Sequence, residues 1–202
     1  MMNKTDIKSF TLKKMEDWFL SLNEKKFHAT QVFKWLYDQK VKSFDEMTNI
    51  SKSLRQKLNE LAYISEIKVD EKKVSFDETI KVRYLLDDGE KIESVLIPEK
   101  ERLTLCISSQ VGCAIGCKFC LTGTMGFKRN LTVSEIINQV MQSQEIAGTK
   151  ITNIVFMGMG EPLLNLDNVA DSCNILLEQI GLNFSRYKIT VCSSKILHES
   201  AT

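Results

Sequence analysis

Three cysteines lie within eight residues, at Cys113, Cys117 and Cys120, in the run Val-Gly-Cys-Ala-Ile-Gly-Cys-Lys-Phe-Cys. This Cys-x3-Cys-x2-Cys spacing indicates a loop that holds a metal, because thiols packed so closely in sequence rarely serve packing alone. Three ligands leave one iron of a [4Fe-4S] cluster without a protein ligand, so a small molecule can bind it. The spacing therefore predicts a cluster with an open iron.

Other uses of these thiols are less favoured. Zinc requires a fourth ligand, and the chain's two histidines lie in no ligand-spaced pair. Cys106, seven residues upstream of the triplet, can supply that ligand, so zinc stays an alternative. A disulfide scaffold fits worse, because there are only six cysteines in 202 residues and we expect no secretory leader.

In the first part of the chain, apolar residues recur at helical spacing in three segments, at about 11–24, 28–40 and 51–62. Each segment predicts an amphipathic helix, and Ser51 can cap the third. Residues 1–62 carry twelve Lys and Arg against eight Asp and Glu, and residues 63–202 carry fifteen against eighteen. This basic excess is compatible with RNA binding and equally with solvated helix faces. We predict a helical, RNA-binding module over 1–62, in which the helical spacing of Trp18, Trp35 and Tyr37 favours core positions over base stacking.

The period changes to two after this module, which predicts strands at 66–70, 80–86 and 92–97. Asp88-Gly89 indicates a hairpin turn, and Pro98 is expected to end the last strand. Residues 63–102 are therefore predicted to form a short antiparallel sheet that connects two larger parts.

From residue 103 the pattern alternates between strands and helices, which is typical of a parallel α/β unit. Thr132 can begin a helix and Gly148 can end it, and Gly181 can end a second helix. The predicted order is strand 103–107, helix 133–147, strand 151–157, helix 167–180 and strand 187–192. The cysteine loop and the loop after Met157 both follow strand ends, where α/β proteins place their sites.

Three motifs together carry a resemblance to a known family. They are Leu105-Cys-Ile-Ser-Ser-Gln with the triplet, Thr122-Gly-Thr-Met-Gly-Phe-Lys-Arg-Asn-Leu, and Met157-Gly-Met-Gly-Glu-Pro-Leu-Leu-Asn. The chain resembles the RlmN family of radical S-adenosylmethionine (SAM) enzymes, which methylate C2 of adenine in 23S ribosomal RNA and in tRNA. Phe119 matches the aromatic residue that commonly precedes the last cysteine. The resemblance implies an α/β fold with an incomplete (β/α) radical SAM partial barrel over 103–202.

The resemblance also implies roles for single residues. A [4Fe-4S] cluster on the triplet would bind the amino and carboxylate groups of SAM, and an external electron donor would start its cleavage to a 5′-deoxyadenosyl radical. Gly160 and Glu161 match the family's pair that contacts SAM, and Cys192 stands where the family has a serine that contacts it. Cys106 matches a second catalytic cysteine and Glu93 a proton acceptor, although each also fits an ordinary strand position.

In the family, the methyl-carrying cysteine lies near the C-terminus, in a part of the sequence that follows the position of Thr202. Neither Cys173 nor Cys192 matches that cysteine. We therefore expect a truncated chain that does not complete RNA methylation alone. The alternatives are a methyltransferase acting on C8 of adenine and a non-catalytic remnant that binds RNA or a cluster. The expected partners are 23S rRNA, tRNA and the electron donor. We also expect a cytoplasmic monomer without a membrane span, since no stretch approaches the roughly 20 apolar residues of a span.

Overall fold

The computed structural model describes residues 4–118 and 120–194. Within these residues there are two compact units, one formed by 4–66 with 171–184, and the other by the rest of the described chain from 67 onward. The first unit is mainly helical, and the second contains a six-stranded sheet. No helix in the described part of the chain combines the length and the apolar character needed to cross a bilayer.

The helical unit confirms the three predicted helices, α1 (Leu12–Ser21), α2 (Lys26–Tyr37) and α3 (Lys52–Leu61). Ser51 begins α3 as predicted, because its hydroxyl accepts the Leu54 amide at 3.3 Å. A parallel pair of two-residue strands, β1 (Thr5–Asp6) and β2 (Ala62–Tyr63), joins the two ends of the module. The core is filled by Ile7, Met15, Phe19, Val32, Phe33, Leu36, Tyr37, Leu54 and Leu58.

The second unit is organised around one mixed sheet. Its antiparallel part consists of β3 (Lys68–Val74), β4 (Ile80–Leu85), β5 (Lys91–Glu99) and β6 (Arg102–Cys106). Two later strands, β9 (Asn153–Phe156) and β10 (Ile189–Val191), extend the sheet in parallel on the far side of β6. The spatial order is therefore β10-β9-β6-β5-β4-β3. The predicted antiparallel and parallel segments therefore share a sheet.

The prediction that Pro98 ends its strand was wrong. β5 continues to Glu99, and Pro98 pairs with Leu103 of β6. On the opposite side, the pairing of β5 with β4 stops at Leu96. A proline is tolerated there because the side of β5 that no longer pairs with β4 requires no N–H donor at this position.

Beyond β6 the chain forms a small hairpin, β7 (Gln110–Gly112) with β8 (Phe127–Asn130), around the one-turn helix α4 (Leu121–Thr124). The helix α5 (Val133–Ala147) then packs its apolar face against the sheet, where Tyr84 bonds Ser143 at 2.7 Å through their hydroxyls. Thr132 and Glu135 form a capping box at its start, and Gly148 ends it with φ of 63°.

The remaining elements are β9 (Asn153–Phe156), α6 (Leu166–Leu177) and β10 (Ile189–Val191). The α6 helix ends at Leu177, earlier than the predicted stop at Gly181, and the Phe184 amide bonds the Leu176 carbonyl at 2.8 Å. The strand β9 lies between β6 and β10, and both neighbours run parallel to it. This arrangement confirms the predicted α/β class with a helical N-terminal module.

Candidate active site

The loops that follow β6 and β9 are bonded to each other at one edge of the sheet. The Gly158 amide donates to the Ile107 carbonyl at 3.0 Å, and the Ser109 amide donates to the Met159 carbonyl at 2.8 Å. Since β6 and β9 are parallel neighbours, their carboxyl ends meet at this edge, as predicted. Hydrogen bonds therefore join the glycine loop (Met157–Gly160) to the segment that leads into the cysteine loop (Cys113–Cys120).

The cysteine loop is closed by backbone contacts at the β7–β8 hairpin. The Cys113 amide donates to the Gly126 carbonyl at 3.1 Å. A Cβ on Gly112, whose φ is +75°, would lie 1.8 Å from that same carbonyl oxygen, so only glycine fits. Within the loop, the Cys120 amide donates to the Cys117 carbonyl at 3.0 Å, which makes a tight turn between two of the three thiols.

The thiols of Cys113, Cys117 and Cys120 are all free and half-buried. Hydrogen bonding by the Gly123 amide lowers the pKa of the Cys120 thiol, and together with smaller contributions from Thr122 it outweighs the opposing effect of burial. Thiolates are the form that binds iron, so the donor set and this stabilised thiolate fit a cluster with three cysteine ligands. In the described residues, however, no three His, Cys, Asp or Glu side chains converge closely enough to hold a single metal ion. Phe119 lies outside the described residues.

The glycine loop, Met157–Gly160, packs directly on the backbone that leads to the cysteines. A Cβ on Gly158 would lie 2.7 Å from the Ile107 carbonyl oxygen. A Cβ on Gly160, whose φ is +98°, would lie 2.5 Å from Cβ of Gln110. Both distances are shorter than side chains tolerate, so the glycines allow the two loops to approach. Gln110 completes the contact by accepting the Glu161 amide at 2.8 Å.

The Glu161 carboxylate is buried and accepts hydrogen bonds from two directions. Oε1 accepts the Leu163 amide at 3.1 Å, and Oε2 accepts the Ser194 amide and hydroxyl at 2.9 and 3.0 Å. Burial alone would raise the pKa of Glu161, but these bonds and one from Ser193 outweigh it and lower the pKa. The carboxylate is thus ionised at neutral pH and joins the glycine loop to the segment after β10. Cys192 lies in that segment, where it is exposed.

Glu93 and Cys106 lie on one face of the sheet. Val95 of β5 pairs with Cys106 of β6, and side chains alternate along a strand, so Glu93, Val95 and Cys106 point to the same side. The opposite face is buried, and this one is partly open. Oε2 of Glu93 lies 2.8 Å from Nζ of Lys81 on β4. Burial raises the pKa of the Cys106 thiol, despite a bond from the Met157 backbone, so the thiol is protonated at neutral pH.

Buried polar residues that support the site were not predicted from the sequence. Oε1 of Gln139, on α5, accepts the Ser94 hydroxyl and the Ser108 amide, each at 2.9 Å, and its Nε2 donates to the Ser108 carbonyl at 3.0 Å. Gln139 is 0% exposed. The sequence contained one signal for this network, which is a glutamine among the core-facing residues of an amphipathic helix. A buried side-chain amide requires hydrogen-bond partners, so such a glutamine indicates buried polar groups nearby.

Two family models match the chain. The ribosomal RNA large subunit methyltransferase N-terminal domain matches residues 5–64, and the radical SAM superfamily matches residues 107–201. A crystal structure of a radical SAM methyltransferase from Sphaerobacter thermophilus superposes with a TM-score of 0.84 at 38% identity, over 94% of this chain and 57% of that chain. The sheet and its cysteine loop thus define part of a radical SAM domain.

Two proteins that are similar to this chain in sequence are each described as a dual-specificity RNA methyltransferase RlmN. The protein from Geotalea uraniireducens (strain Rf4) is 50% identical over 99% of this chain and 58% of its own length. The protein from Buchnera aphidicola subsp. Schizaphis graminum is 46% identical over 96% of this chain and 55% of its own length. The chain belongs to the RlmN family, and it spans somewhat more than half the length of these relatives.

Proposed function

We propose that this protein acts in SAM-dependent methylation of C2 of adenine in 23S rRNA and in tRNA. The observation that carries the proposal is the bonded pair of loops at the ends of β6 and β9, which connects the base of the cysteine loop to the glycine loop. A ligand that must touch a cluster and a carboxylate at once needs such a shared edge. Membership of the RlmN family supports the choice of reaction and of RNA as the substrate.

Cys113, Cys117 and Cys120 would hold a [4Fe-4S] cluster through three thiolates. When bound and reduced by an external donor, the cluster supplies the electron that cleaves the sulfonium of SAM. Gly160 would contact the cofactor through its backbone, which is positioned by the close packing of Gly160 against Gln110.

Glu161 would bind the ammonium group of the methionine part of SAM. Its carboxylate is held ionised by the amides of Leu163 and Ser194, and an ionised oxygen is the stronger acceptor for an ammonium donor. Cys192 would take the place of a cofactor-contacting serine in the segment after β10. A thiol is a weaker hydrogen-bonding group than a hydroxyl, so we expect this contact to contribute less.

Glu93 and Cys106 would act on the RNA from the partly open face of the sheet. Glu93 accepts the proton lost from C2 of adenine, and Lys81 holds its carboxylate from one side. Cys106 acts as the second cysteine that releases the methylated base from its covalent adduct with the protein. Its raised pKa keeps the sulfur as a neutral thiol until that step.

The helical module would bind the RNA, and the protein would work as a monomer in the cytoplasm. The basic excess of residues 1–62 supports this assignment, because lysine and arginine side chains release counterions from nucleic acid. The match of residues 5–64 to a domain described as part of a ribosomal RNA methyltransferase points to the same substrate class.

The test is anaerobic reconstitution with iron and sulfide, followed by addition of SAM, a reductant and an rRNA or tRNA fragment. The proposal predicts 5′-deoxyadenosine from SAM. Because no cysteine of the 202 residues matches the family's methyl carrier, we expect no 2-methyladenosine above background from this chain alone when the RNA digest is analysed by mass spectrometry. Formation of 8-methyladenosine would favour the alternative position on the ring. Intact SAM together with a loaded cluster would instead indicate a remnant without catalytic function.

A further inference from the structure

A cavity of about 270 Å³ lies in the helical module, and none of its lining residues is a proposed cluster, cofactor or catalytic residue. One wall is the outer face of α2, where Gln31, Lys34 and Trp35 follow each other at helical spacing. The facing wall comes from the segment after α2. The full lining is Thr30, Gln31, Lys34, Trp35, Gln39 and Asn49. We call this the Trp35 cavity.

The indole of Trp35 is fixed in orientation. Its Nε1 donates to Oδ1 of Asn49 at 2.5 Å, so the ring cannot rotate without breaking a hydrogen bond. The ring is only half-buried, in contrast to Tyr37 on the same helix, which is 1% exposed. The predicted core position is therefore confirmed for Tyr37, whereas Trp35 presents part of its surface to the cavity.

Two polar groups at the cavity lack partners in the described chain. Oε1 of Gln31 is buried without a hydrogen bond, which leaves an acceptor whose desolvation is not compensated. The exposed Lys34 takes part in none of the ion pairs that the structure describes, so its ammonium group is available to an anionic ligand. The cavity thus combines an aromatic ring, a free acceptor and a free cation.

These three features match one kind of ligand. An unstacked nucleobase offers a planar face to an indole, an N–H donor to an amide oxygen, and an adjoining phosphate to a lysine. The cavity is slightly smaller than the roughly 300–1,000 Å³ of sites for drug-sized ligands, which suits a single base. An apolar ligand would leave Oε1 of Gln31 unpaired, and the basic excess of this part of the chain favours an anionic partner.

We propose that the Trp35 cavity binds one unstacked base of the RNA, with Trp35 stacking on the base, Gln31 accepting a hydrogen bond from it and Lys34 contacting the flanking phosphate. This proposal rests on the proposed function, because it takes RNA as the partner of the helical module. It adds a binding site for a nucleotide remote in sequence from the cysteine loop. Recognition of an unpaired nucleotide at this cavity would restrict substrates to RNA with a loop or bulge within reach.

The experiment uses the 202-residue chain without reconstitution, because the cavity contains no cluster ligand. The chain has two tryptophans, so a Trp18→Phe background leaves Trp35 as the only one. Its emission is recorded while a single-stranded RNA oligonucleotide, a fully paired duplex or adenosine 5′-monophosphate is added. Binding of the labelled single strand is measured in parallel by fluorescence anisotropy at several salt concentrations.

We expect the single strand to quench Trp35 more than the duplex does. Trp35→Ala should weaken single-strand binding by about 5- to 150-fold, which corresponds to the loss of one base stack. Gln31→Met, which removes the acceptor and keeps the bulk, should weaken it by about fivefold. Lys34→Gln should reduce the salt slope by about one, whereas the charge-matched Lys13→Gln, on α1, should leave affinity within about twofold.

The failures of this proposal and of the proposed function are distinguishable. RNA binding by the wild-type chain that is unchanged in both Trp35→Ala and Gln31→Met would overturn the cavity as a base site and leave RNA as the substrate. No RNA binding by the wild-type chain would overturn both. If Trp35→Ala fails to fold, Gln31→Met decides between these outcomes, because its bulk matches that of glutamine.

Discussion

The hydroxyl of Ser108 donates a hydrogen bond of 2.7 Å to the backbone carbonyl of Glu93. The same hydroxyl accepts the Met159 amide at 2.9 Å, so one buried oxygen connects β5, the segment after β6 and the glycine loop. Gln139 holds Ser108 from the helix side through the Ser108 amide and carbonyl. The proposed proton acceptor and the proposed cofactor loop are thus parts of a single hydrogen-bonded network.

Replacing Ser108 by alanine should destabilise the protein and loosen the glycine loop. The variant leaves the buried Met159 amide without its acceptor, which costs about 1–3 kcal/mol. Urea unfolding followed by circular dichroism measures this cost, and hydrogen exchange at Met159 measures the local opening. The control is Ser75→Ala, since Ser75 is exposed at the tip of the β3–β4 hairpin. Equal stability of the two variants would show that the network contributes nothing.

Gly160→Ala should impair the fold around the glycine loop more than Gly89→Ala does. Both glycines have positive φ, +98° and +86°, so both variants incur backbone strain. Only at Gly160 would the new Cβ collide with Gln110, at 2.5 Å, whereas nothing lies within 4 Å at Gly89. The difference in unfolding free energy should be about 1–3 kcal/mol, as for an overpacked core. No difference would mean that the loop moves away freely from Gln110.

The thiols of the metal-free chain should react with iodoacetamide in a defined order at pH 7. Cys120 should react early because hydrogen bonding by Gly123 lowers its pKa, and Cys106 later because burial raises its pKa. Cys173 should react last, since burial raises its pKa to about 11. Alkylation consumes thiolates, so the rate at Cys106 should still rise as the pH passes the usual thiol value near 8.5. Peptide mass spectrometry gives each rate, and faster labelling of Cys106 than of Cys120 would contradict the account.

The sequence allowed the main elements to be predicted because their periods and caps are strong. The capping residues Thr132 and Gly148 bound α5 as expected, and the cysteine and glycine loops lie at neighbouring strand ends. The proposed catalytic residues lie on β5 and β6, and the residues proposed for the cluster and for SAM lie in the two loops and just after the glycine loop and β10. Their roles, the domain boundaries at residues 62 and 102, and the cluster itself stay predictions.

The remaining features depend on contacts that a linear pattern does not encode. The joining of the antiparallel strands to the parallel ones depends on the pairing of β6 with β9, residues that are about fifty positions apart. The fit of Gly160 against Gln110 depends on the same long-range contact. Gln139 and Ser108 are polar residues in apolar surroundings, and only the three-dimensional structure shows which groups satisfy them.

The central claim is that Cys113, Cys117 and Cys120 hold a [4Fe-4S] cluster beside the glycine loop. The direct measurement is iron and sulfide content, with the visible absorption spectrum, after anaerobic reconstitution of the wild type, Cys117→Ala and the control Cys173→Ala. The account predicts about four irons per chain and a brown chromophore in the wild type and in Cys173→Ala, and loss of both in Cys117→Ala. Full iron and absorbance in Cys117→Ala, or bound zinc in place of iron in the wild type, would contradict it.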